Sequence, residues 1–187
     1  MKHFKNFKTC VYCTAQTLAS LDETTLARDY AYLEKYVGID KVYLETYRDG
    51  TWVAIDHMKM IQNFFKKHGV EIAGGITTVT PPLEKDDVKR QRLFQTFCYS
   101  NEAMRTYLKK IVTYTAELFD EIILDDFFFT SCTCDDCLRE RSNLSWAEFR
   151  SKKMIDVAEN LILKPAKLAN PSVKVTIKYP NWRESYH

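Results

Sequence analysis

Strand-like and helix-like segments alternate along this chain without a break, and that order restricts its fold more than any single motif. Residues 9–14 (TCVYCT) read as a first strand. Ser20-Leu-Asp-Glu23 has the form of a capping box, and Leu26, Tyr30, Leu33 and Val37 then recur at helical spacing until Gly38 stops the helix. Residues 41–47 (KVYLETY) alternate and are rich in β-formers, which predicts a second strand. Met58, Ile61 and Phe65 mark one face of a helix over 55–68, ended by Gly69. Residues 70–78 (VEIAGGITT) read as a third strand, whose glycine pair signals a bulge or a close backbone approach. The irregular stretch from Thr80 to Ser100 is long for a structureless connection, and such loops often carry function. Ser100 is the expected cap of a helix running to about Phe119, with Met104, Ile111, Thr115 and Leu118 on its face. EIILDD (121–126) follows as a fourth strand. Ser145-Trp-Ala-Glu148 is a second capping box, opening a helix that aligns Ala147, Met154, Ala158 and Leu161. VKVTIKYP (173–180) reads as a fifth strand closed by a proline.

Short apolar strands alternating with helices make a parallel sheet of the α/β class. Doubly wound sheets and (β/α)8 barrels both fit, but no G-x-G-x-x-G or G-x-x-x-x-G-K-[ST] follows any strand, so the nucleotide-binding version loses support. A complete barrel takes about 250 residues and eight strands. With 187 residues and five expected strands, the chain reads as an incomplete (β/α)8 TIM barrel with outer helices, residues 1–187 being the N-terminal part of a single barrel domain. A hydrophobic share of 45% beside 28% charged residues is that of a folded core rather than a disordered chain. The formal charge is only +2 with no long basic stripe, which argues against a nucleic-acid partner. No apolar run approaches the ~18 residues of a membrane span. The N-terminal MKHFKNFKTCVYC is basic without the apolar stretch of a signal peptide, so the expectation is a cytoplasmic protein, or an exported one whose leader is missing.

The segment DEIILDDFFFTSCTCDDC (120–137) packs two adjacent aspartates and three cysteines into the end of the fourth strand and its loop. In a barrel, the loops after strands 3 and 4 are neighbours on the carboxyl-terminal rim. Cys98 lies in the first loop and Cys132, Cys134 and Cys137 in the second, so four thiolates could meet as a tetrahedral zinc site. The alternatives are buried free cysteines or a disulfide. Cys10 and Cys13 form another C-x-x-C, but a strand sends these side chains to opposite faces, which favours core positions.

"FCYSNEAMRTYLKKIV" resembles the C-P-N-S-P-x-Y-R segment of family-42 glycoside hydrolases, β-galactosidases with a (β/α)8 barrel and a structural zinc on four cysteines. The resemblance implies Cys98, Cys132, Cys134 and Cys137 as the zinc ligands. It covers residues 98–150 loosely, while "GGIT", "FCYSN", "ILDDFFF" and "IKYPNW" look closer to uncharacterised bacterial glycoside-hydrolase-like proteins. One departure stands out. Strand 4 of family 42 ends in Asp-Asn-Glu, the glutamate being the general acid/base, whereas this chain has Asp125-Asp126-Phe127. The second carboxylate of such enzymes comes from a late strand, and this chain ends before it.

Barrel enzymes keep their chemistry at the carboxyl ends of strands. Here those positions are Glu45, Tyr47 and Arg48, then Thr77 and Thr78, then Asp125 and Asp126, then Lys178 and Tyr179. Glu45, Tyr47, Arg48, Thr77 and Lys178 are candidate substrate-binding residues, and Asp125 and Asp126 candidate catalytic carboxyls. The alternative has one aspartate salt-bridged to Arg48 or Lys178 and the other capping the loop. A regular strand places Asp126 with Ile122 and Leu124, and Asp125 with Ile123. The resemblance favours Asp126 for the pocket, and a strand ending at Leu124 would turn both towards the rim. The leading expectation is a glycosidase acting on carbohydrate; the second is a barrel that binds sugar without cleaving it. A zinc-dependent interaction module is disfavoured by the repeats and the near-neutral charge.

Overall fold

A computed structural model describes residues 4–81, 83 and 91–178, and it turns the alternation into one sheet. The elements are β1 (Cys10–Cys13), α1 (Ala15–Ser20), α2 (Glu23–Tyr36), β2 (Lys41–Arg48), β3 (Thr51–Trp52), α3 (Ile55–Lys67) and β4 (Glu71–Ile76), then α4 (Glu102–Leu118), β5 (Glu121–Leu124), α5 (Asp135–Arg141), α6 (Trp146–Asp156), α7 (Lys164–Ala169) and β6 (Lys174–Ile177). Strands β1, β2, β4, β5 and β6 lie side by side in that order, all parallel. Because β1 sits at an edge and each strand joins its successor, the order is that of a barrel wall and not of a doubly wound sheet. The fold is α/β and compatible with a partial barrel. A sixth strand, β3, folds back antiparallel on the end of β2 and was not expected from the sequence.

The helices cover one face of the sheet. Val42 and Leu44, Ile76, and Ile122 and Leu124 are buried there against Met58, Ile61 and Phe65 of α3 and Met104, Leu108 and Ile111 of α4. The opposite face carries Tyr12, Tyr43, Glu45, Gly75 and Ile123. Period-2 alternation explains this division everywhere except in β2. There the register slips between Glu45, opposite Gly75, and Tyr47, opposite Ile76, so Thr46 is an extra residue. The bulge turns both Thr46 and Tyr47 outward: Thr46 Oγ1 lies 2.7 Å from Thr115 Oγ1 on α4, and Tyr47 packs on Trp52, Phe97 and Tyr107. Arg48 thereby returns to the inner face beside Glu45.

Several helix starts differ from expectation. Ser20 is the last residue of α1, and the box that opens α2 is formed by Asp22 and Thr25. Asn101, not Ser100, caps α4 by accepting from the Met104 amide. The Ser145–Glu148 box opens α6 as read, but the buried residues on α6 are Phe149 and Lys153, and Ala147 faces outward. Between α6 and α7 the helix widens over Val157–Leu163, where the Lys164 amide donates to the Glu159 carbonyl. Pro165 has no amide to offer the preceding turn, which favours this wider winding. Cys10 is exposed and so not core, while Cys13 is half-buried and packs against the core; burial pushes the Cys13 thiol up to about 11. Among the described residues no helix is long and apolar enough to cross a membrane. Tyr179 lies outside the described residues.

The glycine pair of β4 marks close approach on both faces. A Cβ on Gly74 would stand 2.6 Å from Thr115 Cγ2 and 2.8 Å from a Phe119 ring carbon, and one on Gly75 would stand 2.7 Å from the Tyr12 hydroxyl. Gly74→Ala must displace α4 from the sheet, and overpacking of this kind costs about 1–3 kcal/mol. Urea denaturation of the intact protein should show that loss. A Gly74→Ala variant as stable as the wild type would mean that α4 does not seat this closely.

Candidate active-site cleft and metal centre

Glu45 is fully buried, and a carboxylate in that position persists only if its oxygens are filled by donors. Four residues fill them. The Tyr12 hydroxyl donates at 2.8 Å and the Ala15 amide at 2.7 Å, Arg48 Nε donates at 3.0 and 2.8 Å to the two oxygens, and the Thr77 hydroxyl donates in a short hydrogen bond. Burial and the neighbouring Glu45 charge push the Tyr12 phenol upward, so it stays a neutral donor. The Arg48 guanidinium reaches on to Thr77 Oγ1 at 2.9 Å and to Asp125 at 3.3 Å.

Regular β5 ends at Leu124, although the Asp125 amide still donates to the Ile76 carbonyl. Asp125 keeps the inner-face parity of Ile123, and Asp126 turns to the rim beside it. Lys178, just past β6, gathers both, its ammonium lying 3.2 Å from Asp125 and 2.9 Å from Asp126. The hydrogen bond to Asp126, more than that to Asp125, pushes the Lys178 pKa up. Glu45, Arg48, Thr77, Asp125, Asp126 and Lys178 thus form one polar chain across the carboxyl ends of β2, β4, β5 and β6. Tyr47 and Thr78 stand apart from it. Tyr47 is fully buried on the helix side with its hydroxyl donating to the Thr80 carbonyl, and the Thr78 hydroxyl donates to the Phe127 carbonyl. Sequence reasoning missed Tyr12, whose signal was a tyrosine at an inner-face position of the first strand.

The four loop cysteines converge, with all four sulfurs within 4.8 Å of one another. Cys98 Sγ lies 3.6 Å from both Cys134 Sγ and Cys137 Sγ, which are 3.8 Å apart. A tetrahedral thiolate site with metal–sulfur bonds of about 2.3 Å has sulfur–sulfur edges of about 3.8 Å. The donor set and its spacing therefore fit a metal ion. All six cysteines are free thiols in the structure. Hydrogen bonds from Cys137 and Cys98 draw Cys132 towards thiolate, while bonding to Cys132 holds Cys98 and Cys137 up. The Ser100 hydroxyl is buried beside Cys137 without a full hydrogen-bond partner among the described residues, placed to donate to a thiolate there. Around the cluster, α5 is fastened to α6 by Glu140 and Lys153, and α4 to α6 by Arg105 and Asp156 at 2.8 Å.

Residues 1–187 match a family described as "Probable glycosyl hydrolase, catalytic domain". The chain belongs to this glycosyl hydrolase catalytic-domain family. An uncharacterised protein of Saccharolobus solfataricus is 32% identical to it over 207 aligned positions, which take in 98% of this chain and 34% of that protein. The chain thus spans about a third of the length of the curated relative it matches. Among the described residues of this family member, the polar chain at the strand ends and the thiol cluster are two constellations with chemistry to offer. They are joined by the loops after β4 and β5: Thr78 bonds Phe127, and the Leu93 amide donates to Ser131 Oγ at 2.8 Å.

If Glu45 holds this cleft together, Glu45→Ala should cost about 3–5 kcal/mol, the range for removing one partner of a buried, hydrogen-bonded ion pair. Guanidinium chloride titration of the intact protein measures it. A loss below about 1 kcal/mol, the scale of exposed pairs, would remove Glu45 from that role.

Proposed function

We propose that the intact protein hydrolyses glycosidic bonds at this cleft, and that residues 1–187 form the N-terminal part of its single barrel domain. The observation that carries the reading is the gathering of Asp125 and Asp126 with Arg48 and Lys178 at the carboxyl ends of parallel strands, in a chain matched end to end by a glycosyl hydrolase catalytic family. Carboxyl ends of barrel strands are where such folds assemble catalysis. Glycoside hydrolysis uses two carboxyl groups flanking the scissile bond, about 5–9.5 Å apart according to stereochemical outcome. Adjacent aspartates sharing one ammonium serve a single side of that bond, and the opposing carboxyl then belongs to another strand end of the barrel. Asp126, at the rim with Lys178 as its cationic partner, is the acid/base. Asp125, held by Arg48 and Lys178 together, is the sugar ligand. Arg48, Thr77 and Lys178 supply hydroxyl-binding donors and acceptors. Glu45 and Tyr47 act behind them, Glu45 by fixing Arg48 and Tyr47 by packing the end of β2.

The second reading, sugar binding without cleavage, is favoured by Phe127, which stands where family 42 has its acid/base glutamate. Asp125→Asn and Asp126→Asn, made singly in the intact protein and assayed on a glycoside panel, decide between the two. Asp126→Asn should lose at least about a hundredfold in kcat, the lower end of what general acid–base catalysis contributes, with the fold kept. Full activity in both variants would make these carboxyls structural. Sugar binding without turnover in the wild type would favour the second reading.

The ion we assign to the cysteine cluster is zinc, in a structural role. Four thiolates at tetrahedral spacing leave no open position for a substrate. Elemental analysis of freshly purified protein should find one zinc per chain, and acidification should release it as the thiolates protonate. Cys98→Ser should lose the ion and open the loops after β4 and β5 to limited proteolysis, with the sheet preserved. Protein free of zinc, or a Cys98→Ser variant that retains it, would overturn the assignment.

A further inference from the structure

The loop after β4 bears a conformational oddity that neither the polar chain nor the cysteine cluster uses. Phe94 has φ 51° and ψ 20°, and Gln95 beside it has φ 53°. Left-handed backbone crowds a Cβ against the neighbouring carbonyl, and glycine or asparagine normally occupies it. A phenylalanine kept there signals that its ring is wanted at that place. The described residues around Phe94 are anchored: the Thr80 amide donates to the Gln95 carbonyl at 2.9 Å, Arg92 Nε donates to the Thr96 carbonyl at 2.5 Å, and the Leu93 amide donates to Ser131 Oγ.

The Phe94 ring is 49% exposed, and it meets Phe127 edge-on with centroids 5.2 Å apart, with Phe129 further back at 6.4 Å. Phe127 in turn lies under the Arg48 guanidinium, 5.9 Å from its ring centroid. The aromatic pair, half-exposed at Phe94 and less exposed at Phe127, is therefore continuous with the polar chain of Arg48, Asp125, Asp126 and Lys178. An apolar surface flanked by a few convergent polar groups, all on anchored loops, is the composition of a small-molecule site. A pyranose ring has the matching chemistry, with one face of C–H bonds and a perimeter of hydroxyls. Three carboxylates (Glu45, Asp125 and Asp126) against two cations (Arg48 and Lys178) leave the cleft net negative, which disfavours an acidic sugar.

Resting on the glycoside reading above, we propose that Phe94 and Phe127 form an aromatic subsite that holds the apolar face of a neutral sugar ring beside the aspartates, and that Phe94 sets affinity at that subsite. The decisive variant is Phe94→Gly, because glycine is at ease in the left-handed backbone. It should leave the melting temperature of the intact protein unchanged or raised while removing the ring; Phe94→Trp is the companion that restores an aromatic surface. The probes are neutral disaccharides without aromatic aglycones and a uronic-acid-containing disaccharide. Hydrolysis is read as released reducing sugar and binding by calorimetry.

The expected result is a rise of about tenfold in KM, or in Kd where binding alone is measured, for Phe94→Gly, the scale of truncating an aromatic anchor. Phe94→Trp should lie within about threefold of wild type, and the acidic disaccharide should bind more weakly than the neutral ones. Unchanged KM and Kd in Phe94→Gly, with an active or sugar-binding wild type, would overturn the subsite and leave the glycoside reading standing. A lowered melting temperature with unchanged affinity would show the ring to be packing only, and a preference for the acidic sugar would overturn the neutral class. A wild type that neither binds nor cleaves any of the sugars would overturn both this inference and the reading beneath it.

Discussion

A single buried carboxylate organises the strand ends of this sheet. Glu45 is out of contact with water, so every lone pair it presents has to meet a donor supplied by the fold. The donors come from β1, from the start of α1, from the end of β2 and from just past β4. Arg48 then carries the requirement to Asp125, and Lys178 carries it past β6. One charge thereby fixes how five parallel strand ends stand relative to each other. Hydrophobic burial on the opposite face holds the sheet to its helices but is indifferent to register along a groove. The charge is not, because hydrogen bonds fail within fractions of an ångström.

The thiol cluster acts at a different level. It lies in the loops rather than in the sheet, and it joins the segment entering α4 to the segment entering α5. Those same loops carry Phe94, Phe127 and Asp126. A bound ion would remove the freedom of two long connections at once, which hydrogen bonds such as Thr78 to Phe127 and Leu93 to Ser131 can only trim. The strand ends are thus set by the buried carboxylate and the loops above them by the thiol cluster.

Much of this was legible in the sequence, for reasons that differ by residue. The strand and helix order survived because apolar periodicity reports burial directly, and the Ser145–Glu148 box because its two side chains bond each other. The cysteines were readable since C-x-C-x-x-C and Cys98 fall in loops that a parallel sheet makes adjacent. Where two caps competed, at Ser20 against Asp22 and at Ser100 against Asn101, spacing alone did not choose, and the unforeseen short helix α1 took Ser20 for its own end. The glycine pair correctly signalled close approach, while the bulge it also suggested sits one strand away, in β2. Tyr47 shows why strand ends are hard to read. Parity counted along KVYLETYR puts Tyr47 with Glu45 and Arg48 with Thr46, and the slip at Thr46 reverses both assignments.

That slip has a consequence for how such a domain can change over time. The meeting of Glu45 and Arg48 on one face depends on the number of residues between them and hardly at all on which residues those are. Thr46 and Tyr47 matter for their own packing, against Thr115 and Tyr107 of α4 and against Trp52 and Phe97, and not for this count. Loss of one position would keep every reactive group in the chain and still carry Arg48 to the wrong side of the sheet. The polar chain is therefore more fragile to deletion than to substitution at this point.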